Sequence, residues 1–566
     1  MRQSVDIVSG WFANECCFEA SGVARRSVLA PLNLLTSPWF PALRRDGAVI
    51  EIRPCDITDR FEDNPIVDIV WPRADLRVGA LEFLIGLLST ICPPEGGSDW
   101  LRWHESPPSP EELARRFAPF EKAFDLDGPG PRFMQEFGGL EGEPTPVAAL
   151  LIDQPGANAV KNNTDLFVKR GKVAALGRST AAAALYALQT FAPAGGAGHR
   201  TGLRGGGPLT TLAFSQQQDS LWRFLWLNAA MTFNSLEVGT PEQRLEDVFP
   251  WLAATRLSDK SGCATTLADI HPAQCFWAMP RRIVLEFEEN AEGLPCAITG
   301  VVEDVIVQQY RTRPYGVNYQ NCDHPLSPYY RVKEGAEWLA VHPQPGGLAY
   351  RHWIGFVCEG KARRPAACIA AAKSRLRVTG GDASLRLYGY DMDKMKARGF
   401  VEAERPLLIA RAEHDQTFRY LVEALAESAR EVAGQTVGAI RTARGGESGE
   451  GLEIVREGFF AETEHAFFAT VRAGLSEIEK SPDTSRAEFF QRWLTETLAP
   501  CARKTFDREV SPVALADSGE PKELKKAIDA RRMLHIALSG QGKGGAAIYG
   551  ALGLGAPGKA RKGKAK

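Results

Sequence analysis

Between Phe191 and Phe214 the chain reads FAPAGGAGHRTGLRGGGPLTTLAF, seven glycines with His199, Arg200 and Arg204 among them. Glycine reaches positive φ without steric cost and admits another backbone to close range. Such a stretch can cradle a phosphate through backbone N–H groups. It can lie along a nucleic-acid groove with Arg200 and Arg204 on phosphates, or it can simply connect two elements. A nucleotide-hydrolysing loop requires G-x-x-x-x-G-K-[ST], and GHRTGLRGGG lacks the Lys-Ser/Thr ending. A dinucleotide fingerprint follows a strand, whereas STAAAALYALQTF (179–191) predicts a helix capped by Ser179 or Thr180.

Three further segments interleave cations and aromatic rings. In NNTDLFVKRGKVAALGRST (162–180), Lys169, Arg170 and Lys172 flank Phe167 and Val168, a pattern able to hold a backbone and stack a base, or equally a solvated loop with Phe167 in the core. QQYRTRPYGVNYQNCDHPLSPYYRV (308–332) joins Arg311 and Arg313 to Tyr310, Tyr315, Tyr319 and Tyr329, as at a nucleic-acid surface where bases stack, though such tyrosines also occur in ordinary sheet cores. In YGYDMDKMKARGF (388–400) the pair Asp391 and Asp393 lacks the further ligands of a calcium loop. Lys394, Lys396 and Arg398 alternate there, which predicts a hairpin tip carrying cations into a groove. Hydrolytic signatures are absent: there is no G-x-S-x-G elbow and no H-E-x-x-H helix, and His104, His271 and His324 stand alone.

These segments need a scaffold. At 566 residues the chain exceeds one ordinary core. A net charge of −2 excludes a histone-like coat, so any nucleic-acid contact must be local or belong to an assembly. Eleven cysteines without a C-x-x-C pair favour the cytoplasm over a disulfide framework. MRQSVDIVSGWFANECCFEASG reads as a poor signal peptide, and no apolar run is long enough to span a membrane. ALEFLIGLLSTIC (80–92) predicts a buried helix despite Glu82, GAVIEIRP (47–54) a hairpin strand, RRIVLEFEE (281–289) a strand, and SLWRFLWLNAAMTF (220–233) a helix.

The expectation is therefore an α+β domain over 1–404. After Pro406 four amphipathic segments follow. The third opens on a capping box from Ser485 to Glu488 and the fourth on Pro521. They predict a four-helix bundle over 405–545 that folds alone from about Arg405 to Gly540, then a flexible basic tail over 546–566. Lys522, Lys525, Lys526, Arg531 and Arg532 cluster on the fourth helix, either as a strand-binding face or as a solvated one.

NLLTSPWFP, PRFMQ, LFVKRG, TGLRGGGPLTT, CFWAMPRRIVLEF, YRTRPYGVNY…DHPLSPYY and YGYDMDKMKARGFVEAERPL occur in that order. The ordered set resembles the CasA family, the large subunit of the type I-E CRISPR surveillance complex Cascade, over nearly the whole chain. The resemblance implies a non-enzymatic subunit without cofactor or metal. Its partners would be CRISPR RNA, the other Cascade subunits, double-stranded target DNA and a helicase-nuclease, with no membrane. In such RNA-guided assemblies protein reads the short PAM while pairing reads the rest.

The resemblance makes Ala194, Gly195, Gly196, Ala197 and Gly198, with Arg200, the loop facing the PAM minor groove. Ala194 and Ala197 stand where some relatives have glycine. It makes Arg311 and Arg313 a second PAM contact. Asp393, Lys394 and Met395 become a wedge into the duplex, Lys394 standing where some relatives have glutamine. Phe167, Val168, Lys169 and Arg170 become the loop near the RNA 5′ handle. The cysteine-rich zinc site of some relatives is reduced here to Cys296, so no zinc is expected. Two other readings stay open, a phosphate-binding enzyme using the glycine loop and a protein-only scaffold.

Overall fold

The structure is a computed structural model that describes residues 31–555 except 166–167, 197, 217–218, 231–244, 260–262, 345–347, 447–448, 482–483 and 511–520. The expectations for the first 22 residues, Phe167, Ala197 and the tail beyond 555 lie outside the described residues.

The turn signal RRDG joins β1 (Phe40–Arg44) to β2 (Val49–Ile52), and β3 (Ile66–Ile69) completes an antiparallel sheet in the order β2-β1-β3. Helix α1 (Ala74–Ile91) is apolar nearly all round and is buried nearly throughout. Its Phe83 gathers Trp39, Phe124, Phe133, Tyr186 and Trp277 at centroid distances of 5.3–5.9 Å, all edge-on. That is the geometry the ring quadrupole favours. Short helices α2 (Gly97–Glu105) and α3 (Pro110–Phe117), the latter capped by Ser109, follow.

Next come β4 (Thr145–Pro146), α4 (Ala157–Lys161), β5 (Leu176–Gly177) and α5 (Arg178–Phe191). Helix α5 starts ahead of the expected caps: Gly177 is the N-cap residue, and Ser179 and Thr180 are buried in the first turn. Strand β6 (Thr210–Ser215) leads to α6 (Leu221–Asn228), capped by Ser220. Helix α6 ends short of the expected Phe233. The Asn228 amide turns to the β6 backbone instead, donating to and accepting from Ala213 at 2.8 Å.

After α7 (Leu245–Val248), β7 (Arg282–Glu289) pairs with β8 (Val305–Arg313), which also carries β4 and β5. A third small sheet, β10-β9-β11, uses β9 (Tyr329–Tyr330), β10 (Leu339–Ala340) and β11 (Arg363–Arg364), with α8 (Tyr350–Val357) between β10 and β11 and α9 (Ala367–Thr379) beyond. The long hairpin β12 (Ala383–Asp393) and β13 (Lys396–Pro406) joins β6 in a fourth sheet, β13-β12-β6.

The C-terminal region is helical: α10 (Asp415–Ala443), α11 (Glu450–Lys480), α12 (Ala487–Arg492), a π-helical stretch (Trp493–Leu498), α13 (Ala499–Glu509), α14 (Pro521–Leu538) and α15 (Gly542–Ala551). The mixed fold followed by helices is the α+β class expected. Helix α10 packs against α11, α13, α14 and α15. The π stretch has a cause in the sequence, since Pro500 offers no N–H to the preceding turn.

Three expectations need correction. Ser485 and Glu488 form no capping box; Arg486 is the N-cap residue, and the Ser485 hydroxyl accepts from the Ala487 N–H at 3.4 Å. Residues 546–551 belong to α15, which buries Ile548 and Tyr549, so the expected tail begins as packed helix. The bundle also shares its core with the mixed region. Tyr350 of α8 stacks on Phe467 at 4.1 Å and bonds Thr463 at 3.0 Å, and Trp353 meets Phe468 at 5.4 Å.

Candidate nucleic-acid interface

Sheet register brings the glycine stretch and the hairpin together. Thr210, which ends the stretch, pairs with Tyr388, and β12 then runs on from Gly389 to Asp393 without β6 beside it. Asp393 pairs with Lys396, leaving Lys394 and Met395 as a two-residue tip. Lys394 takes φ +55°, the left-handed conformation that tight hairpin turns demand and that glycine or asparagine usually supplies. Met395 is 55% exposed, and its sulfur lies 3.8 Å from where a Cβ on Gly196 would be. The rings of Phe191, Tyr390 and Phe400 lock the root of the loop to the hairpin, with centroids 4.9–6.3 Å apart. Tyr390 OH donates to buried Asp75 at 2.5 Å and ties the hairpin to α1.

Two glycines in the stretch are there for conformation. Gly198 has φ +86° and lies against the Tyr315 ring, 2.6 Å from an added Cβ. Gly207 has φ +66°, and an added Cβ would meet Tyr390 O at 2.8 Å and Met392 Cγ at 2.7 Å. Several backbone N–H groups are engaged within the stretch: His199 donates to Gly196 O, Gly202 to Ala192 O and Gly207 to Phe191 O, at 2.9–3.0 Å. A phosphate cradle needs such donors pointing outward, and these three are instead spent on the stretch's own carbonyls. Ala194, Gly195 and Gly196 are exposed at the tip.

The arginines divide. Arg204 is not a phosphate contact but a buried pin. It pairs with Glu82 of α1 at 2.7 Å and donates to Thr210 Oγ1 and Ser327 Oγ at 3.1 and 3.0 Å, while the Thr210 hydroxyl donates to Glu82. Glu82, the apparent misfit in an apolar helix, is its counter-charge. Arg200 is half-buried and donates to Ser258 Oγ and Ser258 O at 2.8 and 3.1 Å. Arg311 is held by Glu286 at 2.5 Å and by Gly142 O at 2.6 Å. Arg313 is exposed and donates through Nε to Glu141 O at 2.7 Å; among the described residues its terminal nitrogens make no hydrogen bond. The chain continues from Arg313 to Tyr315, whose N–H donates to Gly198 O at 2.9 Å, so both arginines stand one short segment from the loop.

Of the tyrosines near them, Tyr310, Tyr319 and Tyr329 are buried and unavailable for stacking. Tyr315 (φ +66°) supports the loop. Two loop supports had no motif to reveal them. Ser258 receives Arg200, and Arg281 donates to Pro193 O while burial lowers its pKa to about 10. The doubled arginine of MPRR was the only trace of the latter.

Elsewhere, Val168, Lys169 and Arg170 are exposed, and Arg170 is held at the surface by Asp165 (2.7 Å), Asn163 and Val160 O. Arg398 closes on Asp391 through two bonds of 3.1 and 2.6 Å, so that carboxylate serves the hairpin. Lys522, Lys525, Lys526, Arg531 and Arg532 are all exposed on α14, with Ile528 and Met533 exposed among them; Arg531 also pairs with Asp507 at 3.0 Å. Cys296 is buried with its thiol 3.3 Å from Thr180 Oγ1. No cluster of three or more metal-ligating side chains occurs among the described residues, and none of their helices is long and apolar enough to cross a membrane.

Residues 33–503 match the profile of the family described as CRISPR-associated protein Cse1. Among solved structures, the chain is similar to Thermus thermophilus CasA (Cse1), with 19% identity and a TM-score of 0.61 over 89% of this chain and 99% of that one. It is similar to Cse1 from Acidimicrobium ferrooxidans, with 18% identity and a TM-score of 0.62 over 90% and 99%. It is also similar to a chain of a CRISPR RNA-guided surveillance complex, with 15% identity and a TM-score of 0.63 over 89% and 99%.

Proposed function

The chain belongs to the CRISPR-associated Cse1 (CasA) family, and on that premise we propose that it is the large, non-catalytic subunit of a type I-E CRISPR RNA-guided surveillance complex. In this reading it acts in the cytoplasm with CRISPR RNA and the other Cascade subunits. It recognises the PAM of double-stranded DNA through the minor groove, starts duplex opening, stabilises the R-loop and recruits the helicase-nuclease.

The observation that carries the reading is the closeness of the Met395 sulfur to Gly196, 3.8 Å from where a Cβ there would be. It sets an exposed glycine backbone and an exposed hairpin tip side by side. A backbone without side chains approaches a groove floor closely, and minor-groove readout there is degenerate, so related PAMs are tolerated. Arg313 stands where a flanking phosphate would run, with Arg311 spent on Glu286 and Gly142 and Arg200 on Ser258 rather than reaching out. An apolar tip beside the groove can enter a base step, with the unstacking cost of a few kcal/mol offset by new contacts. Lys394 then meets a phosphate as the strands part. The α14 cations hold the displaced strand, and Val168 and Lys169 face the RNA handle.

The test replaces Lys394 and Met395 by glycine in the assembled complex. Assembly stays intact, opening of a matched duplex slows, and a pre-opened bubble restores binding. Equal impairment on duplex and bubble refutes the wedge.

A further inference from the structure

Two cavities meet at one arginine. The smaller, about 250 Å³, lies between β9 and α8, with Tyr330, His342, His352, Phe356 and Arg363 in its wall. The larger, about 640 Å³, opens between the α8–β11 connection and α10, and is lined by Arg363, Arg419 and Arg430. Gly355 of α8 lines both. A Cβ there would come within 3.1 Å of Arg363 Cδ, so the absent side chain makes room for the Arg363 stem against the helix.

No carboxylate lines the smaller cavity among the described residues. Arg419 is paired with Glu423 at 3.0 Å and Arg430 with Glu427, so the nearby acids of α10 are engaged. Among the described residues Arg363 has no ion pair, and burial followed by repulsion from Arg430 holds its pKa below the usual value. His352 adds an unmet donor. Arg351 Nε donates to its Nε2 at 3.1 Å. A guanidinium only donates, so Nε2 accepts and the neutral ring carries its proton on Nδ1. Among the described residues that nitrogen is buried without a partner. Burial first, then Arg351, Arg363 and Arg430, push the His352 pKa down to about 4, so the ring is neutral near pH 7. A half-buried guanidinium whose nearest carboxylates, Glu427 and Glu423, are paired with other arginines gains from an anion brought beside it.

We propose that the cavity at Arg363 binds one phosphate group, held by the guanidinium fork, with His352 and Tyr330 in the wall. The fork suits phosphate oxygens in pairs. A space of about 250 Å³ falls below the ~300 Å³ where small-molecule pockets begin, so it takes a single group rather than a whole nucleotide. The larger opening alongside leaves room for whatever carries the phosphate. That carrier is a nucleic-acid strand or nothing beyond the free ion. The site does not depend on the reading of the glycine loop.

Titration calorimetry on the full chain tests it, with inorganic phosphate and a 5′-phosphorylated oligothymidylate as separate probes. Binding of either probe, weakened at least tenfold by Arg363→Gln and unchanged by Lys122→Gln on the exposed surface, supports the site. Tighter binding of the oligonucleotide identifies a strand as the source, and binding of phosphate alone identifies the free ion. Gly355→Ala, which crowds the Arg363 stem, serves as a second variant and weakens binding in the same direction. No binding of either probe by the parent overturns the proposal, as does a folded Arg363→Gln or Gly355→Ala chain that binds as the parent does.

Discussion

Replacing Arg204 by methionine removes the charge that meets Glu82 and keeps most of the volume. The two side chains are 2% and 0% exposed, so no water can take the place of the guanidinium. Glu82 retains only the Thr210 hydroxyl, which itself loses the Arg204 donor. Breaking one partner out of a buried pair costs about 3–5 kcal/mol, a large part of the roughly 5–15 kcal/mol that holds a domain folded. The double variant Arg204→Met with Glu82→Leu leaves no charge stranded and recovers most of that loss. Denaturant unfolding of the two single variants and the double gives the coupling energy directly. DNA binding separates the second role of Arg204. It joins the glycine loop to α1, β6 and Ser327, so the double variant, though stable, holds the loop less tightly and binds target DNA more weakly. A single-variant loss below about 1 kcal/mol, or a double variant no better than Arg204→Met, refutes the account of Arg204 as a pin.

Gly207→Ala forces a Cβ onto Tyr390 O at positive φ, so it should displace the loop from the hairpin and lower duplex affinity while leaving binding to a bubble nearer the parent value; equal affinities on duplex would count against it. His352 has a native pKa of about 4, and burial puts that of His324 well below its usual value of about 6.5. The unfolded chain takes up these protons first, so the stability they contribute is present above about pH 6.5 and declines as pH falls toward 4; unfolding measured across that range should show proton uptake, and a flat profile would refute it. The fragment from Arg405 to Gly540 lacks α8 and α15, so it should be helical by circular dichroism yet bind hydrophobic dye and melt well below the full chain; a dye-silent, cooperative fragment would refute the shared core. Reversing Lys522, Lys525 and Lys526 should shorten R-loop lifetime more than it alters PAM recognition and flatten the salt dependence, with unchanged lifetimes as the refuting result.

Local pattern made much of this molecule legible. Alternation marked β7, alanine and leucine runs marked α5 and α1, and amphipathic spacing marked α10, α11 and α14, because each segment's own periodicity fixes its buried face. The hairpin tip at Lys394–Met395 was readable from the cations alternating around it. What escaped was whatever depends on two distant segments meeting. Glu82 and Arg204 lie 122 residues apart, and nothing in either neighbourhood names the other. The same blindness made Arg204 and Arg200 look like groove contacts and three buried tyrosines look like a stacking surface. Residues 546–551 read as tail, yet they complete a helix in which Gly542, Gly544, Gly545 and Gly550 weaken the intrinsic propensity and packing on α10 and α14 outweighs that cost.

The β12–β13 hairpin is also a gauge of length. Pairing with β6 stops at Tyr388, so the five residues Gly389 to Asp393 project about 17 Å past the sheet at ~3.4 Å per residue. At the opposite end, Pro406 O receives the Trp353 indole N–H at 2.8 Å, and Trp353 rests on Phe468 of α11. The strands therefore fix how far the tip reaches from a foot set in the helical region. Excising two residues from each projecting strand would draw the tip back by about 7 Å with every face preserved, since strand side chains repeat every second residue. Excising one from each would turn the inward face of the projection outward. Reach and orientation are thus separately adjustable in this arm, and the distance from a bound PAM to the first opened base pair becomes a property of strand length.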